Sequence, residues 1–581
     1  MSVIGKALDL PLLWRILGFA KPYKVRFNLT LSLTLALAVI GPLRPYIVKI
    51  TVDDYIMNSD YQGLLNMTLL MVGLIFIEAI FQFFQVYSAN WLGQTIIKDL
   101  RLKTYNKIIR FKLKYFDNTP IGTLVTRTVS DIETIAEIFS SGILIIIGDL
   151  LKIIVVIGWM IYLDWQLTLV SLISLPLLVV ATNIFKNAIK SSFQDVRTQI
   201  SNLNSFVQEH VTGMNIVQIF NREEEEAKKF RKINAEHRDA NIRSIWAYSI
   251  FFPVVELLSA LSLAMAIWWW TNGVLVGGIE FGDIMAFILY IHMLFRPIRQ
   301  LADRFNTLQM GMVSSERVFK VLDDESQITQ TGNNKPHNVA GNISFTDVWL
   351  AYNDENWVLK GLSFEVKSGE SLALVGATGA GKTSVINLLS RFYEYSRGSI
   401  QLDGIDIRDI EITALRQNIG VVLQDVFLFS DTVHNNITIN NDEITREQVI
   451  AAAKAVGAHD FIMKLPGDYD YNVRERGAML SAGQRQLISF IRAYVYNPAI
   501  LILDEATSSI DTESEEIIQH AIGKLTENRT SIIIAHRLAT IQKATNILVM
   551  DGGKVVEQGN HSKLLKLEGV YKNLFELQFA E

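Results

Sequence analysis

Long apolar stretches dominate roughly the first 300 residues of this 581-residue chain. The hydrocarbon core of a bilayer is about 30 Å thick, so a helix that crosses it needs about 20 predominantly apolar residues. Six stretches meet this requirement, although the last is shorter than the others: roughly 27–50, 64–87, 140–163, 166–185, 247–270 and 284–298. The pattern therefore predicts six membrane-spanning helices.

The charges between these stretches predict their orientation. Connections 51–63, 163–166 and 271–283 contain acidic residues but neither Lys nor Arg, whereas the connection between the second and third stretches is rich in both. Lys and Arg are enriched on the cytoplasmic side of a membrane. We therefore expect a multi-pass protein of the cytoplasmic (inner) membrane with both termini in the cytosol.

The two cytosolic connections are each on the order of fifty residues long and have apolar residues at helical spacing. They predict membrane helices that extend far into the cytosol, turn back and return. Pro120 and Gly122 place the first turn near 116–124, and we place the second near 204–212. The charged run 221–230 is interpreted as a solvated helix face.

The N-terminal sequence LPLLWRILGFA (10–20) predicts an amphipathic helix at the membrane surface, with Trp14 and Arg15 at the interface. A simple lead-in to the first span is the alternative. No small-residue cleavage site follows a short apolar core, so we do not expect a removable signal peptide.

Several ionisable residues lie at apparent membrane depth, where a lipid-facing charge is costly. They should therefore face the bundle interior or pair with one another: Arg44, Lys49, Glu78, Asp149, Lys152, Glu256 and His292. Asp149 and Lys152 are three residues apart on one helix face, which favours an internal pair, with a substrate contact as the alternative. Glu256 and His292 are candidate cavity-lining residues, or they form hydrogen bonds between helices.

Composition narrows the possible functions. Half of the residues are hydrophobic and the mean hydropathy is +0.24. The net charge of -5 is small, so no global basic field indicates nucleic-acid binding. The absence of cysteine excludes disulfides, zinc–thiolate sites and cysteine-peptidase activity.

The composition changes after the sixth apolar stretch. A polar segment that contains Gly, Asn and Pro residues is predicted to be a linker. Alternating strands and helices are predicted after it, as in an α/β domain. We therefore divide the chain into a transmembrane domain (1–322), a linker (323–341) and a nucleotide-binding domain (342–581).

The sequence LVGATGAGKTSVINLL (374–389) matches the complete phosphate-loop pattern between a predicted strand and a predicted helix. Glycines let backbone N–H groups surround phosphate oxygens, and a helix N-terminus adds partial positive charge. Lys382 should contact the outer phosphates of ATP, and the Thr383 hydroxyl should bind Mg²⁺. The predicted ATP-binding residues of this loop are Gly376, Thr378, Gly379, Gly381, Lys382, Thr383 and Ser384.

A second motif, AILILDEATSSID (499–511), places two carboxylates after a buried strand. Asp504 is predicted to hold Mg²⁺, and Glu505 to orient and deprotonate the attacking water. An ordinary helix cap is the alternative, which the phosphate loop upstream disfavours.

The order of these motifs resembles that of the bacterial ATP-binding-cassette (ABC) exporter half-transporters of the multidrug or lipid type. The resemblance extends over nearly the whole chain, and its most specific element is LSAGQRQLISFIRA (480–493), which is similar to the family's signature motif. Segment 115–131 is similar to the family's first coupling-helix region. Tyr352, Gln424, 508–511 and His536 match further family motifs.

The resemblance implies roles for these residues. Tyr352 would stack on adenine, Gln424 would reach Mg²⁺ and the attacking water, and His536 would hydrogen-bond the γ-phosphate and support Glu505. Three signature residues would bind the ATP held by a second chain, because the signature lies at another helix N-terminus: Ser481, Gly483 and Gln484. A chain with one cassette would therefore need a partner half-transporter.

Ala482 departs from the family pattern, which usually has glycine at this position. A methyl group at a point of close approach to phosphate could hinder a backbone geometry that suits glycine best. Some members of the family form heterodimers in which one ATP site is impaired, and a chain with an altered signature would fit one half of such a pair. Alanine is the smallest replacement and the other motifs are intact, so we favour a homodimer.

The sequence thus predicts an exporter-type, all-α transmembrane domain of six helices with long cytosolic extensions, joined to an α/β phosphate-loop ATPase domain. We expect ATP-driven export or flipping of hydrophobic or amphipathic compounds, with ATP and Mg²⁺ as ligands and no nucleic-acid partner. A channel or regulatory protein that uses the cassette as a switch is the alternative, disfavoured because Glu505 and His536 are present. The sequence leaves drugs and lipids open as substrates.

Overall fold

The computed structural model of the chain describes residues 9–275, 280–328, 332–336, 338–353, 355–504, 512–534 and 538–579. The chain forms two compact units. The first comprises Met1–Ile109 with Pro120–Glu325, and the second comprises Arg110–Thr119 with Ser326–Glu581. A short excursion between two helices of the first unit thus belongs to the second unit.

The first half of the chain is helical. Its helices are α1 (Leu10–Gly18), α2 (Lys24–Ile40), α3 (Leu43–Ile50), α4 (Tyr61–Ile108), α5 (Leu113–Asn118, in the second unit), α6 (Ile121–Thr128), α7 (Ser130–Glu137), α8 (Ile143–Leu163), α9 (Trp165–Leu172), α10 (Ser174–Thr212), α11 (Met214–Ile219), α12 (Glu223–Leu275) and α13 (Phe281–Asp323).

Six helical segments among the described residues are long and apolar enough to cross a membrane, which confirms the predicted number. They are Lys21–Ile56, Tyr61–Ile108, Ile121–Leu163, Trp165–Phe185, Glu223–Thr271 and Phe281–Ile298. α4, α10 and α12 are 48, 39 and 53 residues long. At 1.5 Å per residue each exceeds about 55 Å, well beyond a bilayer core of about 30 Å. The predicted long extensions are therefore present.

The first reversal of the chain lies where predicted, whereas the second does not. Pro120 is the N-cap of α6, and Gly122 lies inside that helix. The turn predicted at 204–212 is wrong, because α10 continues to Thr212 and ends at Gly213. No Gly or Pro occurs within 204–212, so nothing in that segment interrupts the helix.

α1 is present as predicted, with Trp14 71 % exposed. The Arg15 guanidinium donates to both carboxylate oxygens of Asp323 at 2.6 and 2.7 Å and lies 4.1 Å from the centroid of the Phe319 ring. The end of α13 thus holds α1 in place.

The second unit alternates strands and helices, as expected of an α/β domain. Its strands are β1 (Ile343–Ala351), β2 (Trp357–Val366), β3 (Ser371–Val375), β4 (Arg397–Leu402), β5 (Ile405–Asp406), β6 (Ile419–Val422), β7 (Ile500–Asp504), β8 (Thr530–Ile534), β9 (Asn546–Asp551) and β10 (Lys554–Gly559). Its further helices are α14 (Lys382–Leu389), α15 (Ile412–Gln417), α16 (Val433–Thr438), α17 (Arg446–Val456), α18 (His459–Met463), α19 (Ala482–Val495), α20 (Thr512–Thr526), α21 (Leu538–Lys543), α22 (His561–Lys566) and α23 (Val570–Phe579).

Two sheets organise this unit. One has four antiparallel strands in the order β2-β1-β4-β5, and the other has six strands in the order β10-β9-β3-β8-β7-β6. In the larger sheet only β10 is antiparallel to its neighbour. β7 and β8 are buried at every position, as expected of parallel strands covered on both faces. Because parallel strands end at the same edge, β3, β6 and β7 deliver their following residues to one side of the sheet.

Candidate nucleotide site and membrane charges

The phosphate loop connects β3 to α14, as the sequence predicts. Gly381 is the N-cap of α14 with φ 100°, a left-handed conformation that suits glycine. At Gly376 an added Cβ would lie 2.2 Å from the carbonyl oxygen of Met550. The loop therefore follows a path that side chains would block, which brings its backbone N–H groups close to anything bound there.

The side chain of Lys382, the first residue of α14, folds back against the phosphate loop. Its Nζ donates to the carbonyl oxygens of Gly376 at 2.7 Å and Ala377 at 3.0 Å, and only 8 % of the residue is exposed. Burial lowers the pKa of Lys382, and the charge of Asp504 at the end of β7 opposes that shift. A desolvated cation of this kind is stabilised by an anion, so the site fits the phosphates of ATP.

The predicted ATP-binding residues of the loop differ in exposure. Thr378, Gly379 and Thr383 are exposed, whereas Ser384 is 5 % exposed. The Ser384 hydroxyl accepts a hydrogen bond from Tyr352 at 2.9 Å. Ser384 thus holds the predicted adenine-stacking residue.

Tyr352, directly after β1, is held by further contacts in the second unit. Asn387 of α14 donates to its hydroxyl at 3.1 Å. The Tyr393 ring packs edge-on to the Tyr352 ring, with centroids 4.7 Å apart and planes at 88°. The Tyr393 hydroxyl donates to Asp117 of α5, and burial and Asp117 raise the pKa of Tyr393.

Sequence reasoning missed Asn387, Tyr393 and Asp117. Tyr393 lies four residues beyond the end of α14 and Asp117 lies far away in the chain, so no local spacing connects them to Tyr352. The segment Arg110–Thr119 is joined to this unit by backbone contacts as well: Lys112 N–H donates to Ser326 at 2.9 Å and Ile328 N–H to Arg110 at 2.8 Å.

The predicted Mg²⁺ ligands come from one edge of the sheet. Asp504 ends β7 and is 8 % exposed, and exposed Gln424 follows the adjacent strand β6. The Thr383 hydroxyl, the Gln424 side-chain amide and the Asp504 carboxylate all offer oxygen atoms, which are the ligands that Mg²⁺ prefers. Glu505, His536 and 508–511 lie outside the described residues.

The signature segment caps α19. Ser481 is the N-cap: its side chain accepts from the Gln484 N–H at 3.2 Å, and its own N–H donates to the Gln484 side chain at 3.0 Å. Ser481 and Ala482 are exposed, whereas Gly483 is buried. This capping box fixes the helix start and presents it to solvent.

Comparison with known proteins decides the family. Residues 27–298 match the model of the ABC transporter transmembrane region, and residues 359–508 match that of the ABC transporter. The chain is 37 % identical to the uncharacterized ABC transporter ATP-binding protein YknV of Bacillus subtilis, over all of this chain and 96 % of the relative. This protein belongs to the ABC transporter family.

Two further relatives of this ABC transporter have names that state a transport function. It is 33 % identical to an ATP-dependent lipid A-core flippase of Thiobacillus denitrificans over 98 % of each chain. It is 34 % identical to the putative multidrug export ATP-binding/permease protein YgaD of Bacillus subtilis, over 97 % of this chain and 99 % of the relative. The ABC transporter is thus an ATP-driven, multi-pass inner-membrane exporter whose half-transporter architecture implies dimerisation and a lipid or small-molecule substrate.

Several of the ionisable residues predicted at membrane depth form ion pairs, which reduces the cost of a charge in a bilayer. Arg44 contacts Glu78 (Nε–Oε2 3.1 Å). Asp149 pairs with Arg304 of α13 (Oδ2–Nε 3.2 Å) rather than with Lys152, which corrects the predicted partner. Helix spacing could not reveal this pair, because Arg304 comes from a distant helix.

The Lys49 ammonium group of α3 contacts three carboxylates of the first unit, one shortly after α3 and two at the start of α13. Its Nζ lies 3.7 Å from Asp53, 2.8 Å from Glu280 and 3.2 Å from Asp283, and Asp53 accepts from the Gly282 N–H at 2.6 Å. The ends of α3 and α13 are thereby tied together. The two predicted cavity-lining residues, Glu256 and His292, are exposed.

Proposed function

We propose that the chain is one half of a dimeric exporter that moves hydrophobic or amphipathic compounds, drugs or lipids, across the cytoplasmic membrane by alternating access. The observation that supports the proposal is that one chain combines six apolar spans, a phosphate loop whose Lys382 contacts the loop carbonyls, and a helix α19 whose capped N-terminus begins at exposed Ser481. The termini would be cytosolic, as the charge bias predicts.

The residues of the second unit would divide the work of ATP hydrolysis. The loop residues 376–384 would hold the phosphates and Tyr352 the adenine, while Thr383, Gln424 and Asp504 would hold Mg²⁺. When bound, Mg²⁺ neutralises charge on the β- and γ-phosphates. Glu505 would orient and deprotonate the water, supported by His536.

The exposed start of α19 supports the dimer. Ser481 is exposed and Gln484 is half-buried beside the buried Gly483, and this helix N-terminus would suit an anion held by another chain. Each chain would then complete the ATP site of its partner. We favour a homodimer, since Ala482 adds only one exposed methyl group.

Transport into inside-out vesicles tests the export function. A fluorescent lipophilic dye and a fluorescent phospholipid serve as probes, and Lys320→Gln, an exposed change on α13 outside the spans, is the matched control. We expect ATP-dependent uptake or flipping that Glu505→Gln abolishes and Lys320→Gln leaves intact. Uptake that continues without ATPase turnover would refute the proposal.

Cross-linking tests the dimer. The chain contains no cysteine, so Thr378→Cys and Ser481→Cys can be introduced without background. In a Glu505→Gln chain we expect a cross-link between subunits in ATP–Mg²⁺ and much less without nucleotide. No inter-chain product at saturating ATP–Mg²⁺ would contradict the shared site.

A further inference from the structure

Three polar side chains of the second unit form a hydrogen-bond chain beside the phosphate loop. The Asn387 side-chain amide donates to the Tyr352 hydroxyl at 3.1 Å, and that hydroxyl donates to the Ser384 hydroxyl at 2.9 Å. Asn387 and Ser384 both belong to α14, whereas Tyr352 follows β1. The hydrogen bonds therefore connect the predicted adenine-stacking residue to the first turn of the phosphate-loop helix.

The direction of these hydrogen bonds is set by Asn387. An amide NH₂ group can only donate, so the Tyr352 oxygen accepts from Asn387 and Tyr352 gives its own proton to Ser384. A serine hydroxyl has one proton and two acceptor lone pairs. Because the Ser384 oxygen already accepts from Tyr352, the Ser384 proton must be donated away from Tyr352.

The Ser384 proton needs an acceptor, because the side chain is almost fully buried. Ser384 is 5 % exposed, and a buried donor without a partner is costly. In the part of the chain that the structure describes, the Ser384 hydroxyl donates no hydrogen bond. Ser384 follows Lys382 by two residues, in the helix turn that is predicted to hold phosphate. A phosphate oxygen is the acceptor that this donor fits.

We propose that the Tyr352 hydroxyl is a positioning group for phosphate: it orients the Ser384 hydroxyl as a donor to a phosphate oxygen of the nucleotide. Asn387 in turn orients Tyr352. The inference rests on the proposed ATP site and adds to it a link between the recognition of the base and that of the phosphates. Loss of the Tyr352 hydroxyl should therefore weaken the binding of a phosphate ligand that has no base.

Inorganic tripolyphosphate tests this consequence, since it offers a chain of three phosphates without adenine. Its Kd and that of the non-hydrolysable ATP analogue AMP-PNP are measured by isothermal titration calorimetry, with the full-length protein in nanodiscs and excess Mg²⁺. Tyr352→Phe removes the hydroxyl and keeps the ring. Both Kd values should rise about fivefold, which corresponds to one net hydrogen bond of about 1 kcal/mol. Tyr395→Phe is the matched control and should change neither Kd, since Tyr395 donates to Asp406 of β5.

A second variant separates the hydroxyl of Tyr352 from its ring. Tyr352→Ala should weaken tripolyphosphate binding by the same factor as Tyr352→Phe. It should weaken AMP-PNP binding by at least about a further fivefold, because the stacking of adenine on the ring is lost as well. If Tyr352 contacted only the base, both variants would bind tripolyphosphate as the wild type does.

A double-mutant cycle shows whether Tyr352 acts through Ser384. Ser384→Ala should raise the Kd for tripolyphosphate at least about tenfold, as expected of a lost hydrogen bond to a charged group. Adding Tyr352→Phe to Ser384→Ala should then change the Kd less than about twofold further, because the group that Tyr352 orients is gone. Ser384→Thr retains a hydroxyl and should keep the Kd near that of the wild type.

Two results would overturn the inference: a wild-type Kd for tripolyphosphate in Tyr352→Phe, or a second loss of about fivefold when Tyr352→Phe is added to Ser384→Ala. Because the measurement is equilibrium binding, either result leaves the export proposal standing. Conversely, a protein that shows the expected losses of binding but transports nothing would refute the export proposal alone.

Discussion

The hydroxyl group of Tyr393 is the contact through which we expect segment Arg110–Thr119 to sense the nucleotide site. It donates to Asp117 of α5, while the Tyr393 ring packs edge-on against Tyr352. The segment follows α4 directly in the chain. Tyr393→Phe removes one hydroxyl and retains the ring, so it tests the hydrogen bond without disturbing the support of Tyr352.

The size of the effect follows from the exposure of the partners. A hydrogen bond to a charged group contributes about 1.5–3 kcal/mol when desolvated, but Asp117 is exposed, and solvent screening reduces this to about 1 kcal/mol. That corresponds to about a fivefold change in the population in which α5 is held. The ring contact is preserved, so the KM for ATP should change less than about twofold.

The assay measures ATPase activity against ATP concentration, with and without a transported amphiphile. Tyr393→Phe should lower the stimulated kcat while leaving the KM for ATP near that of the wild type, and Tyr393→Ala should also raise KM. Tyr395→Phe is the matched control, since Tyr395 donates to Asp406 of β5 rather than to Asp117 of α5. Full stimulation in Tyr393→Phe, or equal losses in both Phe variants, would refute the reasoning.

Three other changes give measurable outcomes. Lys49→Met removes the cation beside Asp53 and Asp283, whose side chains are only 11 % and 9 % exposed. Thermal unfolding should therefore show a loss of stability of about 3 kcal/mol. A Lys49→Met variant as stable as the Lys49→Arg variant would contradict this. The Phe206 carbonyl and Glu226 raise the pKa of His210 above 6.5, so their contribution to stability is fully present below pH 6.5 and is lost as pH rises through the higher folded pKa. The Tm difference between wild type and His210→Gln should therefore be larger at pH 6 than at pH 9, and a constant difference would count against the ion pair. Ala482→Gly removes an exposed methyl group, so ATPase activity should change less than about twofold; a tenfold rise would indicate an impaired site.

The spans and the phosphate loop, which depend on continuous stretches of sequence, were predicted correctly. The six spans follow from uninterrupted apolar runs, and the strand–loop–helix geometry around Lys382 follows from glycine spacing. The second turn was misplaced because helical periodicity continues through 204–212 and only Gly213 ends the helix. Periodicity indicates that a helix exists but not where it stops.

Features that depend on distant residues were missed or assigned the wrong partner. Asp149 pairs with Arg304, not with its helix neighbour Lys152. Tyr352 is held by Ser384, Asn387 and Tyr393, of which only Ser384 was a candidate, and then for a different role. Each of these contacts joins residues that lie far apart in the sequence, on different elements.

The sequence by itself determined the apolar spans, the phosphate loop and the family, because each depends on residue types at short, regular spacing. Only the tertiary structure decided that Arg110–Thr119 joins the second unit, that Asp117 reaches Tyr393, and that Asp149 pairs with Arg304. The physical reason is that a buried or membrane-embedded polar group must find a partner, and the packing of helices and strands, not their order in the chain, decides which partner is within reach.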